Sequence, residues 1–251
     1  MRAPAPLALA PLALAWALAG PATAQPVGPA LKAALADPAR PPADVAKDAA
    51  RKPGEVLAFA GVRPGMKVAD FIMGGGYFTR ILAKAVGPTG KVYAYQPAEF
   101  IAFRAAYGDE QKAAAAPYAN VVPISTGLAS TRFPEPLDLI FTAQNYHDMH
   151  LKVVPAGAAD LVLAGLMQQL KPGGTLLVID HVANAGAADA PDALHRIDPA
   201  VMRAEIEKAG FRFDGESSLL RNPADPHTSL VFAPDIRGRT DQVVYRFRKP
   251  A

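Results

Sequence analysis

The 251-residue chain has no cysteine, which excludes a disulfide framework, a cysteine-pair metal site and lipid attachment through an N-terminal Cys. A cysteine-free chain is also chemically safe in an oxidising compartment. A dominant charge is missing too. The 26 Lys and Arg against 23 Asp and Glu leave a formal net charge of +3. The basic residues are scattered rather than gathered into a stripe, which argues against a nucleic-acid partner. The one dense basic run, Arg237, Arg239, Arg246, Arg248 and Lys249, is interleaved with apolar positions, as in a terminal strand with a solvated face. There is no internal repeat and no HExxH motif.

Residues 1–24 carry a single charge, Arg2, then an Ala/Leu-rich segment with Trp16, and close on Ala22-Thr23-Ala24. That order is expected of a secretory leader cut after Ala24, which makes the mature protein periplasmic or secreted. Pro4, Pro6, Pro11 and Pro21 interrupt the apolar run, so no stable membrane insertion is expected once the leader is removed. Residues 25–53 are rich in Pro and Ala and read as an arm lying on a single domain, 54–251. With 51% hydrophobic residues the chain can bury a large core. Nothing in the pattern specifies an oligomeric state.

Within the domain, apolar periodicity predicts strands near 67–72, 91–95, 119–124, 137–143 and 174–180, with helices near 77–86, 98–107 and 158–170. Alternation of this kind implies a parallel sheet covered on both faces. A helix over 199–209 ends at Gly210, and strands over 211–220 and 241–248 follow. If these two pair as a hairpin, the sheet has seven strands with an antiparallel edge.

The most informative stretch runs from Gly65 to Pro97. Val68 to Met73 is apolar except for Asp70, Gly74, Gly75 and Gly76 then remove three side chains where the backbone turns, and Tyr77 starts a helix. A ligand can approach the bare backbone there. As a dinucleotide fingerprint the turn is imperfect, with Thr79 at the third glycine and Gln96 where an acid belongs.

This unit, and Lys171-Pro172-Gly173-Gly174 leading into Thr175–Asp180, resemble the class I S-adenosylmethionine-dependent methyltransferases. Arg51-Lys52-Pro53, the GGGYFT turn, Asn145-Tyr146-His147-Asp148 and His195-Arg196-Ile197-Asp198 are similar to a group of exported bacterial predicted methyltransferases. The resemblance implies a Rossmann-like α/β fold, S-adenosylmethionine as cofactor and a methyl acceptor, here expected to be a small molecule. It also implies that Asp70, Gly74, Gly75 and Gly76 hold the methionine half of the cofactor. Tyr77 and Asn145 join them as cofactor-binding candidates, while Tyr77, Phe78 or Tyr146 would offer an aromatic face to the sulfonium. The chain departs from the pattern at Ile72, where glycine is usual, and at Gln96, where an acid usually holds the ribose. Glu99 can reach back in its place.

All five histidines fall in the second half, mostly just past strand ends, where ligands of open α/β sheets collect. A methyl acceptor that attacks through oxygen or nitrogen must lose a proton, so His147 is the first candidate base, His195 the second, with Asp148 beside them. His147, Asp148, His150, Asp180, His181, His195 and Asp198 are suitable metal ligands by type, yet no spacing is decisive and no metal is expected. Two rival functions remain at this point: a non-catalytic binding module on the same fold, and a metal-assisted hydrolase using the histidine rim.

Overall fold

A computed structural model of the chain describes residues 26–251. The leader expected at 1–24, with its cut after Ala24, lies outside the described residues. Four short helices come first: α1 (Pro29–Leu35), α2 (Pro42–Val45), α3 (Asp48–Arg51) and α4 (Pro53–Ala60). The alternating unit follows as β1 (Lys67–Phe71), α5 (Tyr77–Val86), β2 (Lys91–Tyr95), α6 (Ala98–Phe103), α7 (Ala106–Ala115), β3 (Val121–Ile124), β4 (Leu137–Ala143), α8 (Ala158–Gln169) and β5 (Leu170–His181). The chain closes with α9 (Ala190–Leu194), α10 (Pro199–Lys208), β6 (Arg212–Ser217) and β7 (Gln242–Arg248).

The seven strands form one sheet in the order β3-β2-β1-β4-β5-β7-β6. The first five pair in parallel, and β7 runs antiparallel to both β5 and β6. This is the mostly parallel, antiparallel-edged sheet implied by the alternation of strand and helix. Successive strand residues divide between two cores, as the two-residue period of a pleated strand requires. Val68, Val92, Leu139, Phe141 and Ile179 pack with α1, α4 and α5, whereas Ala69, Phe71, Tyr93, Ile140 and Val178 pack with α8 and α10.

Local chemistry accounts for the element ends. Asp198 caps α10 by accepting from the Ala200 N–H at 2.9 Å, with Pro199 in the first turn, and Gly210 follows its end with φ +100°. The helix expected over 98–107 is instead two, because Arg104 takes an extended conformation between α6 and α7. Ala113–Ala115 form the end of α7, with Ala116 as its C-cap, and their small side chains let α7 approach the glycine turn.

Gly76 is where that approach is closest. It has φ +78°, and a Cβ there would lie 2.3 Å from the Cβ of Ala114. Gly61, with the same φ, has open space around it. Gly76→Ala is therefore expected to cost roughly 2–4 kcal/mol by denaturant unfolding, from left-handed strain plus overpacking, whereas Gly61→Ala pays only the strain, about 1–2 kcal/mol. Equal losses for the two variants would refute the close approach.

Candidate active site

Strand order fixes where a site can form. After β1 the chain moves outward to β2 and β3, then returns to β4 on the other side of β1, so the carboxyl ends of β1 and β4 are a topological switch point. A pocket of about 360 Å³ opens there, within the range of small-molecule sites. A larger cleft, about 720 Å³, lies among Met66, Asp138, Gly174 and Arg248, next to the starts of β1, β4 and β5 and away from all five histidines.

The two strand ends are tied together. The Thr142 hydroxyl donates to the Phe71 carbonyl at 3.0 Å, and Asn145 Nδ2 donates to the Ile72 carbonyl at 2.8 Å. Ile72 and Gln144, the residues at which the two strands leave the sheet, both have positive φ, +59° and +64°. At Ile72 the usual glycine is absent, but the glycine-like backbone is retained under strain. Gly74 and Gly75 have no protein atom closer than 3.9 Å to where a Cβ would stand, leaving the backbone bare to the pocket. Gln96 does not point outward. Its Oε1 accepts from the Gly74 N–H at 3.0 Å and so holds the turn against the end of β2.

Asp70 is buried beneath the turn and accepts from the Thr79 hydroxyl at 2.5 Å. Burial raises its pKa to about 6, against the pull of the Thr79 hydrogen bonds and the Arg51 charge. Arg51, at the end of α3, reaches the same pocket. Its Nη2 donates to Gln144 Oε1 at 3.0 Å, and its guanidinium lies over the Tyr77 ring at 4.6 Å. Desolvation lowers its pKa, and no carboxylate lies within ion-pair distance of it among the described residues. Tyr77 donates its hydroxyl to Asp48 Oδ1 at 2.6 Å.

At the other end of the pocket stand His147, Asp148 and His195. His147 opens a short 3₁₀ turn after β4, His147–His150. Its backbone N–H and its Nδ1 both meet the carboxylate of Asp180 at the end of β5, at 2.7 and 2.9 Å. Burial opposes charge on the His147 ring, but the Asp180 charge and hydrogen bond outweigh it and the pKa is raised. Asp180 is itself held low: burial is outweighed by the charge and hydrogen bonds of His147. The His147 Nε2 lies 3.2 Å from His195 Nδ1 and 3.3 Å from Asp148 Oδ1. Burial pushes Asp148 up to about 6, and burial together with the His147 charge lowers His195.

The segment over this end is pinned from beneath. Arg196 is fully buried, pairs with Asp225 at 2.8 Å and donates to the Val182 and Ser229 carbonyls, which sets Phe232 on the His195 ring with centroids 5.0 Å apart. His195 itself adopts φ +53°.

Comparison with known proteins gives this arrangement a context. No protein-family model matches the chain. A SAM-dependent methyltransferase from Aquifex aeolicus superposes with a TM-score of 0.53 at 22% identity, covering 78% of this chain and 88% of that one. The fold is that of the class I S-adenosylmethionine-dependent methyltransferases. The N-methyltransferase NodS of Bradyrhizobium japonicum aligns at TM-score 0.55 and 12% identity over 80% of this chain and 96% of its own. A protein of Bordetella parapertussis described as a possible exported protein aligns at 0.51 and 17%, over 80% of this chain and 68% of that one. In sequence, a 37-residue stretch is 57% identical to the ubiquinone/menaquinone biosynthesis C-methyltransferase UbiE of Burkholderia vietnamiensis, and the match spans only 15% of either protein.

On this methyltransferase fold, Asp70, Gly74, Gly75, Tyr77, Gln96, Asn145, His147, Asp148 and His195 all line the one pocket, and Gly76 sits behind it as a packing glycine. Other expectations are corrected. Glu99 does not reach back toward the ribose position, because both carboxylate oxygens accept from the Leu128 N–H at 3.1 Å. Tyr146 turns into the core, donates to Glu205 at 2.8 Å and does not line the pocket. Of the remaining histidines, His150 lies 3.0 Å from Glu205, His181 bonds Thr240 at 2.7 Å and His227 meets Asp241 at 3.0 Å. Sequence reasoning missed Arg51 as a pocket cation, and missed Phe100, Tyr107 and Phe232 as pocket walls. The Arg51-Lys52-Pro53 motif was the only signal for the first.

The raised pKa of Asp70 has a stability consequence. Between the unfolded value near 4 and the folded value of about 6, the native state binds a proton that the unfolded chain has released. Stability therefore falls as pH rises through that window and stays reduced above it. Asp70→Asn removes the titrating group while preserving an acceptor for Thr79. Unfolding at pH 7.5 and at pH 4 should show the variant more stable at the higher pH by up to roughly 3 kcal/mol, and equal to the wild type at the lower. No difference at pH 7.5 would contradict a desolvated Asp70.

Proposed function

We propose that the protein is an S-adenosylmethionine-dependent methyltransferase that modifies a small-molecule acceptor. The observation that carries this reading is Arg51: a desolvated guanidinium, with no carboxylate partner among the described residues, beside a bare glycine turn at a helix start. An α-carboxylate is the group that such a place binds best. Gly74, Gly75 and Arg51 would hold the methionine end of the cofactor, with Asp70 available to its ammonium group. The acceptor lies toward His147, Asp148 and His195. S-Adenosylmethionine would supply an electrophilic methyl group to the acceptor's lone pair, and the histidine end would take the proton that an oxygen or nitrogen acceptor gives up. Much of the acceleration comes from holding donor and acceptor in line.

The pocket volume and its walls of Phe100, Tyr107 and Phe232 support a small acceptor over a polymer. The arm contributes Arg51, Lys47 and Asp44 to the walls of the pocket, which supports reading it as part of the site. Export is supported by the leader-like residues 1–24 and by the likeness to a possible exported protein.

Calorimetric titration of the chain lacking the leader tests the reading. Saturable heat with S-adenosylmethionine and S-adenosylhomocysteine, and none with NADH, is expected; the reverse pattern would mean a dinucleotide enzyme. Arg51→Gln should weaken binding of both ligands about 10- to 100-fold, the worth of a charge-assisted hydrogen bond, with little change in unfolding midpoint. Unchanged affinity would remove the carboxylate from Arg51.

A further inference from the structure

The histidine end of the pocket has a feature that methyl transfer by itself does not require. Asp180 is buried and surrounded by three N–H groups: the His147 backbone at 2.7 Å, the His181 backbone at 2.7 Å and the His147 ring Nδ1 at 2.9 Å. A carboxylate in that setting accepts from all of them, which makes Nδ1 the proton-bearing nitrogen and leaves Nε2 as the one whose lone pair a metal ion would use. Facing that lone pair are His195 Nδ1 at 3.2 Å and Asp148 Oδ1 at 3.3 Å, themselves 3.9 Å apart. Apart from the two histidines, no cation or donor side chain meets the Asp148 carboxylate among the described residues. Three electron-pair donors thus converge on one point.

From these positions we propose that His147 Nε2, His195 Nδ1 and Asp148 Oδ1 form a binding site for a divalent first-row transition-metal ion of the Zn²⁺ or Co²⁺ kind. Three atoms with those separations lie on a circle of radius about 2.0 Å, which matches the zinc–nitrogen and zinc–oxygen bond length. An ion near their plane would satisfy all three at once, and the set of two imidazoles and one carboxylate suits such ions better than Mg²⁺ or Ca²⁺. Asp180 supplies the outer carboxylate that commonly orients a metal-bound histidine. The local backbone supports the same assignment. His195 is held at φ +53° by the end of α9, next to the buried Arg196–Asp225 pair, so its ring is fixed toward His147. The ligands are two neighbours and a third residue 48 positions away, which is why no motif betrays them. All three line the pocket, leaving the ion's remaining positions open to a substrate with an oxygen or nitrogen donor.

The site stands on these residues alone, so its failure and the failure of the transferase reading are separable in one preparation. Metal-stripped protein is titrated with Co²⁺, followed by visible ligand-field absorption, then with Zn²⁺ as competitor; S-adenosylmethionine heat is measured in parallel. One equivalent of Co²⁺, displaced by Zn²⁺ and indifferent to Mg²⁺, is expected. His195→Asn, in which Asn tolerates the left-handed backbone, and Asp148→Asn should each weaken Co²⁺ at least 10-fold while both variants still unfold cooperatively without metal. Metal binding without S-adenosylmethionine heat supports this site and overturns the transferase. Absence of a saturable single equivalent, a preference for Mg²⁺, or binding unaltered in both variants overturns the site.

Discussion

The arrangement depends on one constraint, the parallel pairing of β1 with β4. Neighbouring parallel strands whose connections run to opposite sides must send the chain apart at their carboxyl ends. The gap this opens is the pocket. Because both exits begin from hydrogen-bonded register, Val68 against Leu139 through Asp70 against Phe141, the first residues beyond each strand are placed with the precision of the sheet itself. Ile72 and Gln144 turn away with positive φ, each at a cost of order 1–3 kcal/mol, and the Asn145 and Thr142 bonds across the gap hold them in that conformation. Strain and its restraint therefore sit at the same few residues, and the rest of the sheet supplies the packing that tolerates them.

The pocket built this way is electrostatically uneven, and the unevenness has a direction. At one end a guanidinium with no carboxylate partner among the described residues overlies Tyr77, near an acid whose pKa burial raises to about 6; at the other end two imidazoles and an acid crowd together around a buried carboxylate. The first end is suited to a zwitterionic amino-acid moiety, whose carboxylate would answer Arg51 and whose ammonium group would favour the charged form of Asp70. The second handles a proton or a Lewis acid. A sulfonium methyl between them would lie in a region of desolvated protein dipoles, where fixed geometry acts more strongly than in water.

Legibility in the sequence followed range. The glycine turn, the strands at 67–71 and 91–95 and the helix after Tyr77 were readable because their causes are local: alternation, missing side chains, a period of 3.6. The clustering of His147, Asp148 and His195 was foreseen only as a rim, since nothing in the spacing says which histidines face one another and which are taken by Glu205, Thr240 or Asp241. Arg51 was invisible as a pocket residue because it reaches the glycine turn from an arm upstream of the first strand, through tertiary packing of α1 and α4 against the sheet. Phe232 arrives through a connection whose course is dictated by a buried ion pair, Arg196 with Asp225, between residues 29 apart.

The two departures from the usual cofactor-binding pattern acquire a common physical sense. Glycine at position 72 would relieve strain and add freedom. With isoleucine there, the same backbone is kept by the Asn145 bond and by burial of the side chain in the α8 face of the core. An acid at position 96 would offer a carboxylate to a ribose. The amide that replaces it spends its carbonyl on the Gly74 N–H. Both substitutions shift function from the ligand to the turn: they stiffen the glycine segment in the shape it must have before anything binds. A turn organised in advance loses less conformational entropy on binding, which offsets the missing carboxylate. The departures are thus compatible with the proposed cofactor site, in which rigidity of the turn and the charge of Arg51 would replace part of the usual contact to the ribose.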